Sequence, residues 1–503
     1  MDKKGSGVLL HISCLPSDFG IGDMGSGAYK FADFLAKSKQ SFWQILPLNP
    51  TNSINGNSPY SSVSAFASNV ILISPAFMAE DGLLVEEDIK TTPKFSPNRV
   101  DYDAVVNYKM KLFNKAYKRF KQINKKSAEC KAQYDAFCTG HAYWLEDFAM
   151  FIAFKEHFKD KIWSEWPQAI RDRNKQAIEK LKDKLKEQIE KEKFLQYVFL
   201  KQWRRLKSYC NKKGIQIMGD IPIYVTYDSV DVWTNPSIFK LDQDKKPIYV
   251  AGVPPDYFSK TGQLWGNPVF NWDVLQKQAY AWWVKRIEHN LKLFDWVRID
   301  HFRGFVDYWQ VASGEKTAVN GVWQKAPAKD FFTTLLKHFP NLPIIAEDLG
   351  IITDEVREVM RYFGFPGMKV LLFAFSEDLS KHPYLPHNYI PNCAAYTGTH
   401  DNNTVRGWFE KEMLKDDKQR LFTYLGREVT VDELNWELIK LLMESVANMV
   451  IIPMQDLLNL GEEKRMNLPG TANNNWQWRV ISEQINVPIS KQLLNITKKS
   501  NRI

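Results

Sequence analysis

Residues 296–304 read Trp296-Val297-Arg298-Ile299-Asp300-His301-Phe302-Arg303-Gly304, a short apolar run that ends in charge. At period two, Arg298 and Asp300 share one strand face and Ile299 takes the other. Counting Trp296–Asp300 itself, eight such runs recur along the chain. The others are Gly7–Ser13, Phe42–Leu48, Ile215–Ile221, Pro343–Asp348, Lys369–Phe375, Ala394–Asp401 and Met449–Asp456. Buried parallel strands read as near-continuous apolar segments of this kind. Helical patterning lies between them, at Ala28–Lys39, Lys277–Phe294, Ala328–His338 and Thr353–Phe363. Strand–helix alternation repeated eight times predicts an α/β fold, a closed (β/α)8 TIM barrel.

Two insertions interrupt the alternation, after the second and third strands. The first, about 50–210 with the boundary error of any such reading, is mostly helical. It contains Tyr143–Phe151, whose apolar period is that of a buried helix. The second, Tyr224–Trp272, is rich in Pro, Gly, Asp and aromatics. Long loops in compact domains usually carry function, and this one leaves the C-terminal end of a strand, where barrel sites are built. The chain is therefore expected to be one catalytic barrel domain over 1–503, with a helical subdomain at about 50–210 and an active-site loop subdomain at about 224–272. No internal repeat or low-complexity linker divides it.

Composition narrows the chemistry. A net charge of +9 over 503 residues is mild, and much of it lies in Lys121–Lys131 and Lys175–Lys193. The second stretch alternates sign, which predicts a solvated helix with i,i+4 pairs. It lacks the one-sided basic patch interleaved with aromatics that nucleic acid requires, so no nucleic-acid partner is expected. Aromatics make up 14% of the chain, enough for some rings to line a cleft, where the apolar C–H faces of sugars can stack. The five cysteines show no C-x-x-C spacing and fit a reducing compartment. Val8–Leu10 is too short for a signal segment, and nowhere do eighteen uncharged apolar residues run together. A cytoplasmic protein with no membrane partner is the expectation.

Carboxylates converge at the strand ends: Asp220 after the third, Asp300 after the fourth, Glu347 and Asp348 after the fifth, Asp401 after the seventh. Half-burying a carboxylate is costly unless function uses it. Several in one barrel mouth are the equipment of glycoside chemistry: a nucleophile, an acid/base, and a charge to steady an oxocarbenium ion. Arg298 would hold Asp300 ionised, as a nucleophile requires. Glu347 needs the reverse, a raised pKa, to donate a proton at neutral pH.

The motifs in order are His11-Ile12-Ser13-Cys14-Leu15-Pro16, Gly20-Ile21-Gly22-Asp23, Asn57-Ser58-Pro59-Tyr60-Ser61-Ser62, Gly219-Asp220-Ile221-Pro222-Ile223-Tyr224, Gly252-Val253-Pro254-Pro255-Asp256-Tyr257-Phe258, Gln263-Leu264-Trp265-Gly266-Asn267-Pro268, the strand ends above, and Met466-Asn467-Leu468-Pro469-Gly470-Thr471. In that series, over nearly its whole length, the chain resembles the amylomaltases, 4-α-glucanotransferases of glycoside hydrolase family seventy-seven in the α-amylase superfamily. The resemblance implies a retaining transferase that needs no cofactor or metal, with maltooligosaccharides, glucose and soluble α-glucans as partners. It implies Asp300 as nucleophile, Glu347 as acid/base and Asp401 as the third, stabilising carboxylate. Asp220, Arg298 and His400 would contact the sugar beside the cleaved bond. Ser58, Tyr60, Asp256, Gln263, Trp265 and Asn467 would line donor and acceptor sites. Cys14, where the family usually has Ser, and Val70, where Pro is common, are departures outside the chemistry.

Three rivals remain open on sequence. Hydrolysis uses the same carboxylates. A glycan-binding protein would keep the aromatics without needing both Asp300 and Glu347. Gly20-Ile21-Gly22-Asp23-Met24-Gly25 matches a dinucleotide fingerprint, yet Cys14–Phe19 separates it from its strand and no acid ends the next strand, Leu46-Pro47-Leu48-Asn49. Nine histidines without H-x-x-x-H spacing give no metal motif.

Overall fold

The computed structural model describes residues 4–255, 259–376 and 378–503. Twelve strands follow in chain order: β1 (Gly5–Leu9), β2 (Phe42–Gln44), β3 (Gln216–Ile221), β4 (Tyr249–Val253), β5 (Gln263–Pro268), β6 (Trp296–Ile299), β7 (Asp307–Ala312), β8 (Gly321–Lys325), β9 (Ile344–Ala346), β10 (Gly367–Val370), β11 (Cys393–Tyr396) and β12 (Met449–Pro453). Eight of them, β1, β2, β3, β6, β9, β10, β11 and β12, pair in parallel with their barrel neighbours in chain order. The ring closes where β1 pairs with both β2 and β12. These are the eight apolar runs of the sequence, and the (β/α)8 barrel is as expected.

Two boundaries moved. The sixth barrel strand begins at Gly367, and Leu371–Phe373 of the predicted strand forms a buried 3-10 turn. An apolar run by itself cannot separate a strand from a buried helical turn. The predicted helix Lys277–Phe294 is two helices, Trp272–Lys277 and Ala281–Leu293. Ala279 and Tyr280 between them take left-handed backbone (φ 50° and 55°). The Tyr280 ring is buried against Phe331, and its hydroxyl donates to Asp330 at 2.6 Å, contacts that outweigh helical propensity.

The first insertion contributes the helices Tyr102–Lys126, Ala128–Gly140, Leu145–His157 and Lys186–Lys212. Its charges pair across helices as well as along them, the latter at Lys131–Asp135 and Glu190–Lys193. Lys121 reaches Glu187 at 2.6 Å, while Lys182 and Lys193 converge on Glu146. The second insertion is not an irregular loop. Its β4 and β5 join β7 and β8, which follow the fourth barrel strand, in an antiparallel sheet ordered β5-β4-β7-β8. Among the described residues, no helix is long and apolar enough to cross a membrane.

Gly219 sits one residue before Asp220 because a Cβ there would come within 2.2 Å of the Phe294 ring. The Gly20–Gly25 fingerprint serves packing in the same way. A Cβ on Gly22 would lie 2.0 Å from the Ile12 carbonyl, and Asp23 accepts from the Gly25 N–H at 2.9 Å. The amide that a phosphate would use is already satisfied by a carboxylate.

Candidate active site

Strand register builds the centre of the site. Asp220 on β3 stands beside Arg298 on β6, so both side chains point into the barrel on one face. Arg298 Nη1 donates to both Asp220 oxygens at 2.9 and 2.7 Å, and its Nη2 donates to Asp300 Oδ1 at 2.9 Å. Arg298 and Asp220 are almost fully buried, where a planar fork holds two carboxylates better than a lysine could. Tyr60 closes the group by donating to Asp220 Oδ2 at 2.8 Å.

The ladder runs one residue beyond the strand ends. Asp300 N–H donates to Ile221 O at 3.0 Å and Glu347 N–H to Ile299 O at 3.1 Å. That fixes the backbones of the two carboxylates side by side. His301 then turns left-handed (φ 50°), uncommon for a non-glycine residue. The turn aims its N–H at Glu347 Oε2, 2.6 Å away, while Leu349 N–H reaches Oε1 at 3.3 Å. Burial pushes the Glu347 carboxyl up to about 8, with Asp300 and Asp348 adding to the rise and Arg298 and the His301 N–H opposing it. Burial raises Asp220 as well, against the pull of Arg298.

Asp401 arrives on the loop after β11. Asn467 Nδ2 donates to its Oδ1 at 2.6 Å, His400 Nε2 lies 3.3 Å from its Oδ2, and Arg465 holds its carbonyl at 2.6 Å. Burial lowers the pKa of His400, so the ring is neutral at pH 7. It stacks on Tyr60, centroids 5.0 Å apart and planes within 10°. Ser58 Oγ accepts the Tyr60 N–H at 3.2 Å, which sets the turn carrying that ring. Behind this turn, Gln196 bonds both the N–H and the carbonyl of Ser68, and Gln202 does the same for Ser74. The long insertion helix Lys186–Lys212 thereby holds the Tyr60 segment against the barrel.

From the antiparallel sheet, Trp265 meets the His301 ring edge to face at 4.8 Å, and its indole N–H donates to Gln263 at 3.2 Å. Asp256, Tyr257 and Phe258 lie outside the described residues. Of the remaining expected residues, Asp220, Arg298, Asp300, Glu347 and Tyr60 form one connected group. Asp401, His400 and Asn467 form a second, joined to the first through the Tyr60–His400 stack.

Several residues at the site gave no signal in the sequence. His301 acts through its backbone. Arg465 acts on a carbonyl. Trp476 packs 5.8 Å from Tyr60 and 5.9 Å from His400. Burial raises the pKa of Tyr384, on the loop after β10, and Asp348 and Glu347 lie close enough to add to the rise.

This geometry can be set beside known proteins. A sequence profile described as 4-alpha-glucanotransferase, glycoside hydrolase family seventy-seven, matches residues 10–483. The chain belongs to this family. It is 50% identical over 475 residues to a 4-alpha-glucanotransferase of Aquifex aeolicus, covering 94% of this chain and 95% of that one. With a Synechocystis 4-alpha-glucanotransferase it shares 48% over 505 residues, covering 100% and 99%. Among solved structures it superposes on an amylomaltase from Streptococcus agalactiae in complex with acarbose with a TM-score of 0.95. That match is at 42% identity, over 99% of this chain and 100% of that one. The chain is thus an enzyme of the 4-α-glucanotransferase family, and the hydrolase, lectin-like and dinucleotide readings give way to it.

Proposed function

We propose that this enzyme moves α-1,4-glucan segments from a maltooligosaccharide donor to the 4-hydroxyl of glucose or another glucan by a retaining double displacement. One observation carries the mechanism. Asp300 is tied to a buried guanidinium, while the neighbouring Glu347 is half-buried in the barrel mouth, where desolvation lets it keep its proton to about pH 8. Two carboxyl groups with opposed environments divide the roles of nucleophile and acid. Asp300 attacks the anomeric carbon as Glu347 protonates the departing glycosidic oxygen, leaving a β-glycosyl-enzyme. Glu347, now deprotonated, takes the proton of an incoming 4-hydroxyl, and the second inversion restores the α-linkage. Asp401, braced by Asn467 and His400, faces the charge that develops on the ring. Asp220, Arg298, Tyr60 and His400 grip the sugar beside the bond, and Ser58, Gln263, Trp265 and Asp256 extend the cleft on either side.

The acarbose complex of the Streptococcus agalactiae amylomaltase supports an α-glucan ligand for this cleft. The five free cysteines fit a cytoplasmic setting. Maltotriose is the deciding substrate. It should give glucose plus a ladder of longer maltooligosaccharides with little net gain of reducing ends, read by chromatography and a reducing-end assay. Reducing ends rising in step with maltotriose loss, with no longer products, would refute transfer.

A further inference from the structure

The eighth barrel strand, β12, also leads into a carboxylate, and the mechanism above gives it no task. Asp456 stands in the first turn after the strand and is 2% exposed. Burying a carboxylate this deeply is costly unless its oxygens are used. Both are. Oδ2 accepts the Thr397 hydroxyl at 2.5 Å, and Oδ1 accepts the Val405 N–H at 2.8 Å. Thr397 follows β11 directly and Val405 opens the next helix, Val405–Gly407, so residues 398–404 leave and return to one side chain. That loop carries His400 and Asp401. Asp456 is itself held from behind, where Asn435 on the helix Val431–Glu444 donates to its carbonyl at 2.8 Å.

Two observations separate this from ordinary helix capping. The helix that starts at Val405 already has its cap, since the Thr404 hydroxyl accepts the Gly407 N–H at 3.0 Å. The two donors also call for a group that only accepts. Burial lifts the Asp456 pKa to about 6, against the pull of these donors, so the group is ionised at neutral pH. An ionised carboxylate takes a hydroxyl and an N–H together, whereas an amide would turn a donor of its own toward one of them. Inside the loop the chain is tight. The Asn402 side chain accepts from the N–H and the hydroxyl of Thr399, both at 2.9 Å, and Thr399 Oγ1 accepts the Asp401 N–H at 3.3 Å. A loop closed on itself in this way moves as a unit, and Asp456 fixes where the unit sits on the barrel. We infer that Asp456 is a positioning residue for transfer: by pinning both ends of loop 398–404 to the eighth strand, it sets how Asp401 meets the sugar ring. The inference rests on Asp401 being the third carboxylate.

A double-mutant cycle tests it, read as transfer from maltotriose and as fluoride release from α-maltosyl fluoride. Asp456→Asn keeps the shape and should lower kcat and kcat/KM together by about 10- to 100-fold, as expected when a group is misplaced in the transition state. In an Asp401→Asn background the same change should cost less than about threefold, because the carboxylate it positions is gone. Thr397→Val frees one end of the loop and should be non-additive with Asp401→Asn in the same way. It decides by that comparison should Asp456→Asn not fold. Losses that multiply in full, or a folded Asp456→Asn enzyme that keeps the wild-type rate, overturn the inference. The underlying reading fails by a different result, an Asp401→Asn enzyme that by itself keeps its full rate.

Discussion

In the proposed mechanism Glu347 holds a proton in one half of the reaction and releases it in the next, and its surroundings suit that role. Burial raises it to about 8, so the acid form persists as pH climbs through neutrality and is lost only above that value. Transfer from maltotriose should therefore hold up to about pH 8 and fall beyond it, measured as kcat/KM against pH. Glu347→Gln should lose about 10²- to 10⁴-fold. An α-glucosyl fluoride, whose leaving group needs no proton, should restore the first step and let glycosyl-enzyme accumulate on Asp300. Mass spectrometry that finds no adduct while donor is consumed would contradict this division of roles. Asp300→Asn, which cannot form the ester, should retain under about a thousandth of the wild-type rate, a barrier change of ~4 kcal/mol. Asp220, Asp300, Glu347 and Asp401 were legible in the chain because strand ends with unpaired charge have few structural uses. His301 was not, because a left-handed backbone that points an amide at a neighbour leaves no mark on residue type.

At the scale of elements, the site depends on two supports from outside the barrel. The segment that follows the Tyr60 turn is held at Ser68 and Ser74 by the helix Lys186–Lys212 through Gln196 and Gln202, which act as surrogate strand partners. The antiparallel sheet delivers Trp265 to His301, the residue that also bonds Glu347. A ring here can cover the intermediate and set the acceptor hydroxyl, favouring transfer over water. Trp265→Ala should shift product from long maltooligosaccharides toward net reducing ends, or slow transfer selectively. A product ladder identical to wild type, at an identical rate, would remove Trp265 from this role. Tyr249, on β4 of the same sheet, has the Lys240 ammonium over its ring, 5.7 Å from the centroid. The sheet escaped the sequence because its strands come from two segments separated by a barrel strand, and antiparallel pairing at that range has no local period.

Across the whole molecule, closure of the barrel is guarded at the chain's end. Arg502 is fully buried and donates to the carbonyls of Met443, Ala447, Ser445 and Gly5 at 2.7, 2.8, 3.0 and 3.3 Å. It thus ties the last helix–strand unit to β1 at the end opposite the active site. Removing it leaves several buried carbonyls without a donor. Arg502→Ala should cost about 3 kcal/mol. For a chain of this size that is a fall of about 3 °C in thermal midpoint. Scanning calorimetry would show it, and the pH profile of transfer should keep its shape. An unchanged midpoint would mean that solvent replaces the donor.

The sequence by itself determined the barrel, its eight strands and the carboxylates at their mouths, because parallel strands buried on both faces leave unbroken apolar runs whose ends are conspicuous. It also carried the ordered motifs that assign the family. Tertiary structure alone decided which side chains meet. The register of β3 against β6 puts one arginine between Asp220 and Asp300. A left-handed His301 lends its amide to Glu347, and a sheet assembled from distant segments supplies the aromatic wall. Those contacts join residues tens to hundreds of positions apart, and local pattern carries no information about which distant partner a side chain will find.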